Sequence, residues 1–152
     1  MIKGVKVKNL KVIPDYRGRL MEILRNDDNL FIQFGQVYMT TVLPGIVKGW
    51  HYHKKQTDNF VCVHGKIRLG LYDSREDSET YGKTQEFILS LENPILVQIP
   101  NGVMHGFECV GDEEAIVINA VTEPYNHDTP DEHRVDPFDN DIPLKWNNKK
   151  GG

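Results

Sequence analysis

The sequence predicts an all-β protein that folds as an antiparallel barrel or jelly roll. Short runs rich in β-branched and aromatic residues fill most of the 152-residue chain, and turn-forming dipeptides separate them. No segment keeps a helical periodicity of apolar residues over three turns, so helix should be scarce. A chain of this length can bury about 70% of its unfolded surface in one core. We therefore expect a single domain over residues 1–152.

The first three strand runs, 5–13, 19–24 and 33–43, have strand length and mix apolar, β-branched and aromatic residues. Turn signals end the first run at Pro14–Asp15 and the third at Pro44–Gly45, because proline and glycine fix turn conformations that strands cannot hold. The N-terminal part of the chain is therefore predicted to be strands joined by short turns.

The run 59–73 is almost continuous in apolar and β-branched residues, with a turn signal at His64–Gly65. Four shorter runs follow and complete the predicted sheets. They cover residues 85–91, 94–100, 105–110 and 113–121, and turn signals separate them at Asn93–Pro94, Asn101–Gly102 and Gly111–Asp112.

The segment after Tyr125 is polar and rich in proline. It predicts an ordered C-terminal arm over residues 126–146, followed by a frayed tail over 147–152, since chain termini without apolar anchors are poorly ordered.

Composition excludes several classes of function. A net charge of −4 and a pI near 5.8 provide no field for nucleic acid or an anionic membrane. The N-terminus lacks the apolar run of a signal peptide, and no stretch is long enough to span a bilayer. Two cysteines, Cys62 and Cys109, lie in apolar strand-like surroundings and are predicted to be buried, reduced thiols. We expect a cytoplasmic protein with neither a nucleic-acid nor a membrane partner.

Histidines mark the candidate site. His51 and His53 are two residues apart in a strand-like stretch, so both imidazoles should point to one face. Asp58 follows shortly after them, and a Pro-x-Gly turn precedes His105. An antiparallel barrel can hold one small ligand on its inner face, which is where these residues would meet.

This cluster allows two kinds of chemistry. Neutral imidazoles with a carboxylate suit a divalent transition metal, with His51, His53, Asp58 and His105 as ligands. Asp58 could equally serve in a turn or a salt bridge. Alternatively, a histidine with a pKa near neutrality could move a proton as a general base.

The spacing of these residues resembles the two motifs of the cupin superfamily. Gly45 is followed by five residues, His-x-His, an acidic residue and Gly65. The second motif, Pro-x-Gly-x-x-His, ends at His105. The resemblance implies a cupin jelly roll.

Five further segments, in order, resemble the dTDP-4-dehydrorhamnose 3,5-epimerase family, whose members act on nucleotide-linked 4-keto sugars. The match begins with D-x-R-G-x-x-x-E over Asp15–Ile23, includes Gln36, and continues with Lys-Gly-Trp-His-Tyr-His ending at His53. The remaining segments cover Leu71–Gly82, 89–107 and Val121–Tyr125.

The family resemblance implies a role for each candidate residue. The histidine that matches His51 is the base that removes the proton beside the keto group. His105 and His53 are expected to donate to the developing oxyanion. The resemblance also implies a homodimer without cofactor, in which a segment near Arg17 reaches the partner's cavity. The implied substrate contacts are Arg17 and Lys48 on the diphosphate, Tyr125 on the nucleotide base, and Glu22 and Gln36 as polar contacts.

Three departures from the family alter the expected reaction. Asn119 occupies the place of the family's catalytic tyrosine, and an amide can hydrogen-bond an oxyanion but cannot protonate it. Asp58 or a neighbour replaces the family's lysine, and the aspartate that follows the family's tryptophan is not found after Trp146. A base without such a carboxylate loses control of its tautomer.

The His51–His53 pair also resembles sugar-nucleotide 3,4-ketoisomerases, which carry a similar H-x-H-K stretch. A single epimerisation or an isomerisation of a dTDP-4-keto-6-deoxyhexose, for deoxysugar and polysaccharide biosynthesis, is therefore the expected activity. A metal-dependent cupin enzyme and a non-catalytic sugar-binding relative are the alternatives.

Overall fold

The computed structural model describes residues 1–152 and confirms the all-β prediction, with thirteen strands and no helix. It follows that no helix is long and apolar enough to cross a membrane. The strands are β1 (Lys6–Asn9), β2 (Val12–Asp15), β3 (Gly18–Met21), β4 (Gln36–Val42), β5 (Ile46–Tyr52), β6 (Asp58–His64), β7 (Lys66–Asp73), β8 (Thr84–Ser90), β9 (Ile95–Ile99), β10 (Val103–Cys109), β11 (Ala115–Val121), β12 (His133–Arg134) and β13 (Lys150–Gly151).

Two sheets make up the jelly roll. One has the order β1-β9-β6-β11-β4, and the other has the order β12-β5-β10-β7-β8, with β13 added on β5. All pairings are antiparallel except that of β13 with β5. The β2–β3 hairpin stands apart from both sheets.

The main core lies between the two sheets, because both contribute to one cluster of 17 buried apolar residues. In β7, Ile67, Leu69 and Leu71 alternate with more polar or smaller residues and are fully buried. Phe60 of β6 and Phe107 of β10 meet across the interior with ring centroids 5.8 Å apart. Each such side chain contributes roughly 1.5–3 kcal/mol when it leaves water.

Glycine is required at the tight connection between β6 and β7. Gly65 has a φ of 69°, and a Cβ there would lie 2.8 Å from the Cα of Ala115. Any other residue would combine left-handed strain with a clash against β11. The predicted turn at His64–Gly65 is therefore where the long run 59–73 divides into two strands.

The end of the chain differs from the sequence prediction of a frayed tail over 147–152. The buried carboxylate of Glu108 accepts hydrogen bonds from the backbone N–H groups of Asn147 and Asn148, at 3.2 and 2.9 Å. Lys150 and Gly151 then pair with β5. Paired backbone groups and a charged anchor hold this segment against the fold.

The segment Leu71–Gly82, prominent in the sequence pattern, forms a loop whose conformation depends on one buried carboxylate. Asp73 accepts hydrogen bonds from the Arg75 guanidinium and from the hydroxyls of Ser78 and Thr80, each within 2.9 Å. Burial by itself would raise the pKa of Asp73, but these partners hold it below its usual range. The polar residues of this motif thus have a structural role.

Candidate active site

A cavity of about 490 Å³ opens between the two sheets and contains the predicted histidine pair. β5 and the residue that follows it bring His51 and His53 to one wall, while β4 contributes every second residue to the wall formed by the other sheet. Those β4 residues are Gln36, Tyr38 and Thr40. Phe60 and Phe107 are among the apolar residues of the lining. Both His51 and His53 line this cavity, where the sequence predicts them.

His51 is held as a neutral base. Its Nδ1 lies 3.1 Å from the carbonyl oxygen of Gly49, which assigns the proton to Nδ1 and leaves Nε2 as a free acceptor. Burial, reinforced by the neighbouring His105, lowers the pKa of His51 to about 3. The sequence predicts that loss of an orienting carboxylate removes tautomer control, but a backbone carbonyl supplies that control here.

Asp58 is a buried counter-ion rather than a residue facing the ligand. Its Oδ2 lies 3.0 Å from Nε2 of His105 and 3.3 Å from Nε2 of His53, although both contacts are too bent to be hydrogen bonds. Its Oδ1 accepts hydrogen bonds from the side-chain amides of Gln56 and Asn119, at 2.6 and 3.1 Å. Asp58 makes no such contact with His51, so it does not replace the family's carboxylate behind the base.

The pKa values of Asp58 and His53 are set by burial and by the contacts between these side chains and His105. Burial alone would raise the pKa of Asp58, but His105 and His53 outweigh it and hold the pKa well below the usual range. Burial alone would lower the pKa of His53, yet the Asp58 carboxylate raises it above its ordinary value. The carboxylate therefore favours the protonated form of His53, which lines the cavity, while Asp58 itself lies behind the wall.

His105 lies behind this wall, because it is 1% exposed and does not line the cavity. It pairs with His51 across β5 and β10, and the two ring centroids are 4.1 Å apart. Its Nδ1 faces the carbonyl of Val103. His105 therefore supports His51 and contacts Asp58 from below, whereas the sequence predicts that it donates to the substrate.

The three histidines also satisfy the donor type of a transition-metal site, since their ligand atoms lie within 4.8 Å of one another. Asp58 does not belong to this set. Every Nδ1 faces a backbone carbonyl, and the Nε2 atoms of His53 and His105 face Asp58. A metal ion bound here would have to displace the Asp58 carboxylate from His53 and His105, two of the three candidate ligands. The arrangement therefore fits an ion-pair network better than a metal site.

Asn119, predicted to face the substrate, is completely buried behind the cavity wall. Its Oδ1 accepts a hydrogen bond from the backbone N–H of Asn59 at 2.9 Å, which fixes the orientation of the amide. Its Nδ2 donates to the phenol oxygen of Tyr38 at 2.8 Å. Burial, and then the charge of Asp58, raise the pKa of Tyr38 above that of a free phenol.

The predicted substrate contacts divide into two groups. Gln36, Lys48 and Tyr125 line the cavity, and the Tyr125 N–H donates to Gln36 Oε1 at 2.8 Å. Arg17 and Glu22 do not line it. Arg17 is exposed on the β2–β3 hairpin with its guanidinium paired to Asp15, and Glu22 contacts Arg25.

Sequence reasoning missed several residues of the cavity. Tyr38 could have been found, because it lies two positions from Gln36 on a strand and so shares its face. Asp131 could not have been found, because its partners are more than seventy residues away in the sequence. Its carboxylate accepts hydrogen bonds from the backbone N–H groups of residues 54–56, and its backbone carbonyl faces His53 Nδ1. Among the other cavity-lining residues that were missed, three polar or charged ones lie close to Asp131: Gln56, Glu132 and Arg134.

Comparison with known proteins gives one consistent result. The family model described as dTDP-4-dehydrorhamnose 3,5-epimerase matches residues 1–151. A spore coat polysaccharide biosynthesis protein, SpsL, of Bacillus subtilis is 42% identical over 147 residues, 97% of each chain. A probable low-salt glycan biosynthesis epimerase, Agl13, of Haloferax volcanii is 42% identical over 140 residues, 91% of this chain and 89% of its own. The crystal structure of a dTDP sugar isomerase from Desulfovibrio desulfuricans G20 superposes with a TM-score of 0.90 at 34% identity, covering 95% of this chain and 92% of that one.

Proposed function

The chain belongs to the dTDP-4-dehydrorhamnose 3,5-epimerase family, and we propose that it epimerises or isomerises a dTDP-linked 4-keto-6-deoxyhexose by proton abstraction beside the keto group. The observation that carries this proposal is His51, a neutral imidazole whose Nε2 is free at the wall of a cavity. The names of these two relatives, a spore coat polysaccharide biosynthesis protein and a probable glycan biosynthesis epimerase, support a place in the supply of deoxysugars for a surface polysaccharide or glycan. The free thiols Cys62 and Cys109 are consistent with a cytoplasmic enzyme.

His51 performs the first step. A C–H bond beside a carbonyl is a weak acid, so a base must meet the proton while the developing enolate oxygen is stabilised. Nε2 takes the proton, and the electrons of the C–H bond move into the enolate. The Gly49 carbonyl stabilises the imidazolium that results, because it accepts a hydrogen bond from the Nδ1–H.

Lys48, Tyr125 and Gln36 would hold the nucleotide. The ammonium of Lys48 lies at the cavity and donates to Thr40 Oγ1 at 3.0 Å, where a point charge can meet a diphosphate. The half-exposed ring of Tyr125 offers a flat surface to a base at little entropic cost. Glu22 and Arg17 would contribute only if a second copy brings its hairpin to the cavity.

A specific observation favours a second candidate, a metal-dependent isomerase or oxidoreductase: the cluster of His51, His53 and His105. If it bound a divalent transition metal, the metal would supply a Lewis acid for the keto oxygen. The position of Asp58 argues for metal-free chemistry, and the following experiment separates the two.

Untagged protein incubated with a dTDP-4-keto-6-deoxyhexose is expected to produce a new keto sugar, detected by proton NMR. Dialysis against a chelator should leave the rate unchanged, and elemental analysis should find less than about a tenth of an equivalent of transition metal. A rate that falls with the metal and returns on adding it would establish the second candidate instead. No new sugar under either condition would leave only a binding role.

We also propose a homodimer formed through the outer face of β4. This strand is the edge of its sheet, and edge strands with apolar surfaces need cover. Met39 and Val37 are 62% and 53% exposed there, and the adjacent Phe34 is 70% exposed.

The substitution Met39→Glu is expected to shift the protein from dimer to monomer in sedimentation velocity, because it puts a charge in the centre of that face. Ile88→Glu is the matched control, since Ile88 is also exposed and apolar but lies on β8 in the other sheet. An unchanged sedimentation coefficient for the Met39 variant, or an equal shift in both variants, would contradict this interface.

A further inference from the structure

Inversion at a carbon requires a second proton group on the side opposite the base. His51 belongs to the sheet that contains β5, so that group must come from the other sheet. Tyr38 is the only phenol that β4 brings to the cavity. It is flanked on the same face by Gln36 and Thr40, whose amide and alkyl hydroxyl groups are much weaker acids than a phenol.

The hydrogen bonds around Tyr38 fix the direction of its proton. Asn119 Nδ2 donates to the phenol oxygen, and the amide cannot flip because its Oδ1 is bonded to the Asn59 N–H. The phenol oxygen therefore accepts from the buried side, and its own O–H is left for a partner in the cavity. Tyr38 and Asn119 lie directly opposite each other in the β4–β11 register, which keeps this bond short.

The other side chains near His51 that could donate a proton are bonded to protein oxygens, buried behind the wall, or outside the facing sheet. Both ring nitrogens of His53 face protein oxygens, the carbonyl of Asp131 and the carboxylate of Asp58. His105 is buried behind the wall. Tyr125 is half exposed and follows the sheet rather than facing His51 from within it. Tyr38 is thus the phenol that the sheet opposite His51 presents to the cavity, with its own proton not used by a protein acceptor.

We propose that Tyr38 is the catalytic acid, positioned by Asn119, and that it delivers a proton to the enolate carbon on the face opposite His51. This inference rests on the proposed function. His51 Nε2 removes the proton from one face and the enolate forms. The enolate carbon then takes the Tyr38 proton as the keto group re-forms, leaving a phenolate and an imidazolium. Water returns a proton to Tyr38 and accepts one from His51, so no oxidant or reductant is needed.

The test is Tyr38→Phe assayed in deuterated water with a dTDP-4-keto-6-deoxyhexose. The ring remains, and Asn119 keeps its bond to Asp58, so the variant should fold, as a thermal melt would verify. Formation of the inverted sugar should fall by about 100-fold or more. Deuterium exchange at the same carbon with retained configuration should stay within a few-fold of the wild-type proton-abstraction rate, because His51 is intact. Tyr81→Phe, at an exposed tyrosine outside the cavity, is the matched control.

Three outcomes decide the assignment. Loss of inversion with exchange retained in Tyr38→Phe supports it, since a merely structural role would reduce both. Inversion at more than about half the wild-type rate, or parallel loss of exchange and inversion, overturns the role of Tyr38 while the proposed function stands. Neither exchange nor product from the wild-type protein overturns the proposed function itself.

Discussion

Replacing His51 with asparagine is expected to lower the turnover of a dTDP-4-keto-6-deoxyhexose by about 1,000-fold, the range typical of a lost general base. Asparagine is small enough for this position, and its amide can still donate to the Gly49 carbonyl, as the His51 Nδ1 does. It has no basic nitrogen, so it cannot take the proton. The Michaelis constant should change little, because the diphosphate and base contacts proposed for Lys48 and Tyr125 remain.

His64→Asn is the matched control for this prediction. His64 is an exposed histidine at the end of β6, paired with Glu113 on the surface. This variant should turn over at the wild-type rate. A His51 variant that loses less than about tenfold in turnover would mean that another group is the base.

The second large effect is on stability. The substitution Asp58→Asn is expected to lower the free energy of unfolding by about 3 kcal/mol, because it removes the carboxylate that faces the buried His53 and His105. Urea unfolding monitored by tryptophan fluorescence would measure the loss, since Trp50 and Trp146 pack together in the fold. Asp27→Asn, which removes an exposed ion pair with Arg25, should change stability little.

The pH dependence of this loss has a defined sign. Folding lowers the pKa of Asp58 from an ordinary value of 3.8, so its contribution is complete above that pH and disappears as pH falls through the folded pKa. Folding raises the pKa of His53 from 6.5, so its contribution is complete below 6.5 and disappears as pH rises through the folded pKa. The difference between wild type and Asp58→Asn should be largest between these two values. A difference that does not depend on pH would contradict the ion-pair network.

Most of the fold follows from local patterns. Alternation in runs such as 66–73 sets which residues face the core, and Gly65 sets where one strand ends, because both depend on neighbours in the chain. The prediction of a frayed tail over 147–152 was wrong because the contacts of that segment are not local in the sequence. Its partners, Glu108 and β5, are distant in sequence, so a polar composition alone suggested disorder.

Side chains of the site were predictable where the two-residue periodicity of a single strand places them. They were not predictable where their position depends on how different strands are paired. The spacing of His51 and His53 was enough to place both imidazoles at one cavity. The function of Asp58 depended on which side chains approach it from other strands, and the role of Asn119 on its pairing with Tyr38 across β11 and β4. Neither relation has a signal in the sequence.

The proton that His51 removes can be followed directly. A dTDP-4-keto-6-deoxyhexose incubated with the wild-type protein in deuterated water should acquire deuterium at a carbon beside the keto group, as read by mass spectrometry and proton NMR. His51→Asn should incorporate none above the uncatalysed rate under the same conditions. Equal incorporation by the two proteins, or none by the wild type, would contradict His51 as the base.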